Sequence, residues 1–306
     1  MSLVVVGTVA FDAIETPFGK TDKIIGGAAT YIALAASYFT SDIQLVSVIG
    51  DDFPEDALEH LKSRGVDLDG LQIKEGEKSF FWAGKYHNDM NTRDTLATEL
   101  NVLEHFDPVL PDSYKDAEFV MLGILTPAVQ TKVIEQLNGT PKLIVLDTMN
   151  FWMDIAMDDL KAVIAKIDLI TINDEEARQL SGEYSLVKAA RKIIEMGPKY
   201  LVIKKGEHGA LLFHGKKLFY CPALPLEEVF DPTGAGDTFA GGFIGFLTAS
   251  RDISFDNMKR AVIYGSALAS YCVGKFGTEA LIGLDSEDIK KRVKEFAELV
   301  QFTPRF

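Results

Sequence analysis

The chain has 306 residues, of which 47% are hydrophobic, and a formal net charge of −14 at pH 7. This length is sufficient for one large α/β domain with a substantial core. The acidic balance makes the surface repel nucleic acids and anionic membranes, so we expect neither as a partner.

No apolar run approaches the length that spans a bilayer, and the first residues lack the basic segment of a signal peptide. The two cysteines, Cys221 and Cys272, lie far apart and without metal-ligand spacing. Unpaired thiols are typical of a reducing compartment, so the predicted location is the cytoplasm.

Continuous apolar runs recur along the chain and predict strands that are buried on both faces. They cover residues 3–7, 45–50, 119–123, 143–147, 168–171 and 200–203. Helical periodicity is found between them, at residues 28–39, 54–64, 127–138, 158–166 and 186–196, and again at 234–248, 255–271 and 286–300. This alternation predicts a mostly parallel sheet with helices on both sides.

Two segments interrupt the alternation of strand and helix, at about residues 12–25 and 72–100. Residues 79–86 and 92–100 alternate in a strand-like way on either side of a turn-like stretch. We therefore expect β structure that stands apart from the main sheet. A pair of surface hairpins is the alternative interpretation.

A glycine-rich turn precedes the predicted helix at 234–248, with the sequence Asp231-Pro232-Thr233-Gly234-Ala235-Gly236-Asp237. A turn of this kind leaves the first backbone N–H groups of the helix without intrahelical partners. The helix dipole adds a partial positive charge at the same place, which favours a phosphoryl group as the ligand. We call the amides of residues 234–237 the anion hole.

Asp237 places a carboxylate in a site that is otherwise suited to an anion. We interpret it as a general base that takes the proton from a substrate hydroxyl while that oxygen attacks a γ-phosphoryl group. The amides of Gly234, Ala235, Gly236 and Asp237 would then stabilise the developing negative charge. The alternative is a capping acid at a helix N-terminus.

Residues 231–237 resemble the C-terminal signature D-T-x-G-A-G-D of the PfkB, or ribokinase-like, carbohydrate kinases, with Pro232-Thr233 where Thr-x is usual. Further family motifs occur in the family's order over nearly the whole chain. The resemblance implies one ribokinase-like α/β domain over residues 1–306, with a small β lid formed by about 12–25 and 72–100. It also implies ATP and Mg²⁺ as nucleotide and metal. A lid would exclude water during transfer.

The resemblance assigns the nucleotide site to two further motifs and to Gly236. In N-x-x-E, Asn173 would orient the phosphates and Glu176 would hold Mg²⁺ through water. In the turn 204–209, Lys204, Gly206 and Gly209 would line the nucleotide pocket. These motifs also fit an asparagine N-cap with glutamate at N3, and a hairpin turn.

Residues 273–278 resemble a family loop that shapes the nucleotide pocket, and they include Gly277. In many members this loop forms a monovalent-cation site together with the first acid of the glycine motif. That acid is Asp231 here, so the resemblance implies an optional K⁺ site.

Near the N-terminus the resemblance implies that Asp12 binds acceptor hydroxyls and that Gly26 and Gly27 bring backbone amides against the acceptor. The sequence departs from the family at Tyr31, where an asparagine is expected, and it has no acid at 122–127. We expect Tyr31 to stack on a base or a sugar face.

The predicted lid carries aromatic residues at 80–82 and a candidate substrate-facing charge, Arg93. Together with Tyr31, these aromatic residues are compatible with a nucleoside acceptor. Ordinary packing within a strand is the alternative explanation for them.

The sequence therefore predicts an ATP- and Mg²⁺-dependent kinase that phosphorylates a hydroxyl of a small sugar or sugar derivative, with a nucleoside as the second choice. A non-catalytic sugar- or nucleotide-binding protein of the same fold is a weaker alternative, because Asp237 and its glycines are intact. A dinucleotide-dependent oxidoreductase would need a glycine-rich turn after the first strand, where residues 7–10 supply one glycine. An exposed lid edge predicts a homodimer formed through the lid.

Overall fold

A computed structural model describes residues 2–301 and residue 303. The strands are β1 (Leu3–Val6), β2 (Ala10–Thr16), β3 (Gly19–Lys20), β4 (Ile24–Gly26), β5 (Ile43–Gly50), β6 (Val66–Lys74), β7 (Phe81–Tyr86), β8 (Arg93–Glu99), β9 (Phe119–Leu122), β10 (Leu143–Asp147), β11 (Leu169–Asn173), β12 (Tyr200–Lys204), β13 (Ala210–His214) and β14 (Lys217–Cys221).

The helices alternate with these strands through most of the chain and follow one another after β14. They are α1 (Ala28–Ala36), α2 (Glu55–Ser63), α3 (Pro127–Glu135), α4 (Asn150–Ile155), α5 (Met157–Ile164), α6 (Asp174–Ser181), α7 (Leu186–Glu195), α8 (Ala235–Ser250), α9 (Phe255–Cys272), α10 (Glu279–Ile282) and α11 (Ser286–Val300).

The main sheet has the strand order β14-β13-β12-β11-β10-β9-β1-β5-β6. Strands β12 to β6 run parallel, and β13 and β14 add an antiparallel hairpin at one edge. The parallel strands are apolar because helices cover both faces, and all four residues of β1 are fully buried. The predicted mostly parallel sheet is thus present, although β6 and β14 were not predicted and β13 follows only from the hairpin interpretation of residues 204–209.

Two apolar cores lie on the two faces of the main sheet. One core includes residues of α1, α8 and α9, and the other includes residues of α3, α5, α6 and α7. Helix α8 packs directly on α1, since a side chain on Gly241 would overlap the carbonyl oxygen of Ile32. This contact holds the first half of α8 close to α1.

A second sheet, which we call the lid sheet, consists of β2, β3, β4, β7 and β8. Its strands come from the two segments that interrupt the alternation. Strands β2 and β7 pair in parallel, and β7 and β8 form an antiparallel hairpin. Residues 72–74 were expected in the lid, but they complete β6 and pair with β5 at the edge of the main sheet.

Three predicted helices end earlier than expected, because the chain turns away before the last residues of the apolar pattern. The helix predicted at 28–39 ends at Ala36, where Phe39 N–H already bonds to the Ala36 carbonyl in a tighter turn. Helices α3 and α5 likewise end at Glu135 and Ile164. Among the described residues, no helix is both long enough and apolar enough to cross a lipid bilayer.

Candidate active site

The carboxyl ends of the central parallel strands converge on the start of α8. Asp147 ends β10, Asn173 ends β11 and Lys204 ends β12. This edge is where open α/β sheets place their ligand sites. The glycine motif at 234–237 and the polar strand ends therefore form one site, although they are far apart in sequence.

The anion hole is built on a left-handed turn at Gly234, which has φ 73° and forms the N-cap of α8. A side chain at this position would also overlap the ring of Tyr31. The Ala235 amide is already engaged, because it donates to the Pro232 carbonyl at 3.2 Å. Among the described residues, the amides of Gly234 and Gly236 have no backbone acceptor, whereas the Asp237 amide donates to its own carboxylate, so two of the four predicted amides remain available.

Asp237 lies in the first turn of α8, and its Oδ1 is buried without a hydrogen-bond partner among the described residues. The pKa of Asp237 is raised to about 7, mainly by burial and then by the charge of Asp147, whereas Lys204, Arg93 and the Asp237 amide oppose the shift. A buried acceptor oxygen without a partner is costly to the protein alone. It is suited to receive a proton from a ligand.

Asp12 is 5% exposed and belongs to the lid sheet, in β2. Its carboxylate lies directly against Gly26, where a side chain would overlap Oδ2. The pKa of Asp12 is raised to about 7, mainly by burial and then by the charges of Asp231 and Asp237, while a hydrogen bond from the Gly27 amide opposes the shift. The predicted acceptor residues Asp12, Gly26 and Gly27 are thus in contact with one another.

Tyr31 does not face an open pocket, contrary to the expectation that it stacks on the acceptor. Its side chain is 1% exposed, its ring lies against Gly234, and its hydroxyl is buried without a partner among the described residues. The reason is that α1 and α8 pack together, which brings Tyr31, in the first turn of α1, against the N-cap of α8. The ring of Tyr31 therefore packs against the anion hole at Gly234, a role that helical periodicity alone does not reveal.

Lys204 and Asp147 form a buried ion pair at the strand ends, with 2.7 Å between Lys204 Nζ and Asp147 Oδ2. Burial lowers the pKa of Lys204, but the charges of Asp147 and Glu176 outweigh it, so the pKa is raised and the ammonium persists. No sequence motif assigned a role to Asp147. An acid that ends an apolar parallel strand is the signal that could have identified it.

Asn173 and Glu176 form a capping box at the start of α6. Asn173 Oδ1 accepts from the Glu176 amide at 2.8 Å, and Glu176 Oε2 accepts from the Asn173 amide at 2.7 Å. Burial raises the pKa of Glu176 to about 7, although Lys204 opposes this. Glu176 Oε1 has no protein partner among the described residues, so the capping role and a water-mediated metal role are compatible.

Mg²⁺ typically binds proteins through one or two carboxylates while it keeps several waters and contacts substrate phosphates. The described residues contain no cluster of three or more acidic, histidine or cysteine side chains that could hold a metal ion. Glu176, whose charge acts on Lys204, fits the sparse type of Mg²⁺ site, because Oε1 is the oxygen left for a metal-bound water.

Asp231 is fully buried, and both of its carboxylate oxygens accept backbone amides. Oδ1 accepts from Thr233 at 2.8 Å, and Oδ2 accepts from Gly277 at 2.9 Å. Asp231 thus ties the loop at 273–277 to the glycine motif. The monovalent-cation site at Asp231 stays a prediction.

Gly206 and Gly209 lie in the tight turn between β12 and β13, so the hairpin interpretation of this motif is correct. A side chain on Gly209 would overlap the Cys221 carbonyl, which explains this glycine by packing against β14. Gly206 faces the loop between β7 and β8 instead, since a β carbon added to it would lie 2.7 Å from Asn91 Oδ1. The nucleotide-binding roles of both glycines stay predictions.

The lid sheet lies over the glycine motif and contacts it through Tyr86, which the sequence analysis did not single out. Tyr86 is buried, and its hydroxyl lies 3.2 Å from Thr233 Oγ1. Arg93 pairs with Tyr86 across the hairpin. The guanidinium of Arg93 opposes the rise in the pKa values of Asp237 and Glu176.

Trp82 lies on the same face of the lid sheet as Asp12, because the two residues pair directly between β2 and β7. The indole ring lies over Gly84, where any side chain would overlap it. Arg93 Cζ is 6.0 Å from the ring centroid. The face of the lid next to Asp12 therefore presents one large, half-buried aromatic ring.

We predict that Asp237→Asn stabilises the protein at pH 8 and that the gain disappears below about pH 4. The folded-state pKa of Asp237 lies above the ordinary 3.8, so ionisation disfavours the folded state increasingly as the pH rises from about 4 to 7. Asparagine removes this cost. Thermal unfolding at pH 8 and pH 4 measures the difference.

The control is Asp256→Asn, an exposed carboxylate whose pKa is lowered by the hydrogen bond from Lys259. This variant should show no gain in melting temperature at pH 8. If the wild type and Asp237→Asn are equally stable at pH 8, ionisation of Asp237 does not disfavour the folded state, and the raised pKa is refuted.

Comparison with known proteins gives the same architecture. A model of the pfkB family carbohydrate kinases matches residues 2–283. A cytidine kinase from Thermococcus kodakarensis is 32% identical over 259 residues, covering 83% of this chain and 91% of that protein. A Burkholderia thailandensis nucleoside kinase in complex with inosine has a TM-score of 0.80 at 20% identity, covering 99% of this chain and 100% of that one.

Arabidopsis thaliana ribokinase complexed with ribose and ATP has a TM-score of 0.76 at 20% identity, covering 96% of this chain and 98% of that one. These structural similarities confirm the predicted ribokinase-like α/β fold. The family model and the sequence similarity confirm the predicted kinase class. The chain belongs to the pfkB family of carbohydrate kinases, phosphotransferases that act on hydroxyl groups of small sugars and nucleosides.

Proposed function

We propose that this kinase transfers the γ-phosphoryl group of ATP to a hydroxyl of a nucleoside, with Asp237 as the general base. The observation that carries the proposal is the buried Oδ1 of Asp237, which has no partner among the described residues and lies beside the available amides of the anion hole. A base and an anion site at one helix start are what phosphoryl transfer to a hydroxyl requires.

In the proposed reaction, Asp237 accepts the proton of the acceptor hydroxyl as that oxygen forms a bond to the γ-phosphorus. The bond between this phosphorus and the bridging oxygen breaks, and its electron pair leaves with ADP. The amides of Gly234 and Gly236 stabilise the negative charge on the transferring group. A pKa of about 7 matches Asp237 to proton abstraction near neutral pH.

Mg²⁺ would supply charge neutralisation at the phosphates when it is bound. We assign its water-mediated contact to Glu176 and the orientation of the phosphates to Asn173. Gly206, Gly209 and Gly277 are proposed to line the nucleotide site. An optional K⁺ near Asp231 would have to add to a carboxylate that already accepts two amides.

A nucleoside is favoured as the acceptor by the place of Trp82 next to Asp12. If Asp12 and the turn at Gly26 and Gly27 hold the hydroxyls of a pentose, the base attached to that sugar lies within reach of the indole face. The similarity to a cytidine kinase supports the same class. A free sugar such as ribose is the second candidate, because Asp12 alone would bind the same hydroxyls.

The direct test is ADP release from Mg·ATP by the purified protein with a panel of nucleosides, pentoses and hexoses. We expect turnover with at least one nucleoside. Asp237→Asn should lower kcat by about 10²–10⁴-fold, because it removes the general base, while ATP still binds.

Turnover near that of the wild type in a folded Asp237→Asn variant would remove Asp237 as the base. Activity confined to free sugars would overturn the nucleoside assignment and leave the kinase chemistry intact. Failure of the wild-type protein to bind ATP would refute the proposed function altogether.

Trp82→Ala should raise KM for the nucleoside roughly tenfold or more, because stacking of a base on an aromatic ring contributes about 1–3 kcal/mol. The KM for Mg·ATP should change little. Steady-state kinetics with each substrate varied in turn measures the two effects. Phe81→Leu, on the opposite face of the same strand, is the control; equal effects of both variants on both substrates would indicate a general loss of lid structure.

A further inference from the structure

Lys204 is the last residue of β12, and its side chain reaches the first turn of α8. Its Nζ would lie 3.2 Å from a β carbon on Gly236, so the ammonium is in contact distance of the anion hole. The side chain is 17% exposed and that of its partner Asp147 is 2% exposed. The ammonium is therefore held inside the site and not at the surface.

The hydrogen bonds of this ammonium are incomplete. A lysine ammonium has three N–H donors. Within residues 2–301 and residue 303, Asp147 is the only hydrogen-bond partner of Lys204, through the 2.7 Å bond to Oδ2. The other donors are available to a ligand beside Gly236.

The charges around Lys204 are mainly negative. Asp147, Glu176 and Asp237 all act on it electrostatically. A polyphosphate that enters this site meets three carboxylates, so a fixed cation next to the anion hole counteracts repulsion where the transferring group must lie.

We propose that Lys204 donates a hydrogen bond to the transferring phosphoryl group, and that Asp147 is the positioning residue that holds the ammonium in place. This inference rests on the proposed phosphoryl transfer but not on which acceptor is used. Lys204 makes no covalent bond and moves no proton. It stabilises negative charge on the phosphoryl oxygens as the new bond forms and ADP leaves.

Asp147 is suited to this positioning because both of its oxygens are engaged. Oδ2 binds Lys204, and Oδ1 accepts the Thr148 amide at 3.0 Å. The carboxylate is thereby fixed at the end of a central strand. A flexible four-carbon side chain held by such an anchor is ordered before the nucleotide arrives.

The test compares Lys204→Met with the wild type in two ways. Calorimetry measures the affinity for ADP and for a non-hydrolysable ATP analogue with an imido bridge between its β- and γ-phosphates. Kinetics measures kcat with the best acceptor. We expect the ratio of the affinity for the analogue to the affinity for ADP to fall about tenfold or more in Lys204→Met. The kcat should fall about 10²–10³-fold, while the KM for the acceptor changes less than threefold. Lys204→Arg should recover part of kcat.

A structural role of the ion pair is separated by the double variant Lys204→Met/Asp147→Leu, which leaves neither partner as an unpaired buried charge. If the pair only supports the fold, the double variant regains both stability and kcat, and the inference is overturned. If Lys204 contacts the phosphoryl group, the double variant regains stability but not kcat. Asp147→Asn should lower kcat by about tenfold and should change the KM for the acceptor less than it changes kcat.

A matched control is Lys199→Met, which removes an exposed lysine paired with Asp168 at 2.9 Å just before the other end of β12. This variant should leave nucleotide affinity and kcat unchanged. If Lys204→Met folds and keeps both the preference for the analogue and kcat within threefold of the wild type, the inference fails. Absence of kinase activity in the wild type would refute the proposed function, while the affinity comparison would still test Lys204.

Discussion

The burial of carboxylates around the start of α8 is the constraint on which the rest of the site depends. Asp12, Glu176 and Asp237 each have a pKa raised to about 7, mainly by burial. Such groups are unfavourable unless ligands, cations or protons compensate them. The protein supplies the buried ammonium of Lys204 and the available amides of the anion hole, which leaves a base that can accept a proton at neutral pH.

The lid sheet connects the two halves of this site. Tyr86 contacts Thr233 in the glycine motif, and Asn91 lies against Gly206 in the turn after β12. The same sheet contributes Asp12 and Trp82 to the proposed acceptor side. We interpret this arrangement as a cover that brings acceptor and nucleotide together while it excludes the water that would otherwise compete as the acceptor.

The sequence predicts those parts of the site that local patterns determine. The turn at 234–237, the helix start after it and the alternation of strands and helices follow from glycine positions and apolar periodicity. The ion pair between Asp147 and Lys204 joins residues 57 positions apart, and no local pattern indicates it. Tyr31 was assigned to the acceptor because it stands where the family has an asparagine. Its contact with Gly234, which lies far away in sequence, cannot be inferred from periodicity.

The central claim, that Asp237 has a buried carboxylate oxygen suited to accept a proton, is tested most directly by its pKa. Aspartate labelled with ¹³C at the carboxyl carbon can be followed by NMR across a pH titration of the free protein. The resonance that disappears in Asp237→Asn identifies the residue. Our account predicts a midpoint near pH 7, and a midpoint near 4, as in an exposed aspartate, would contradict it.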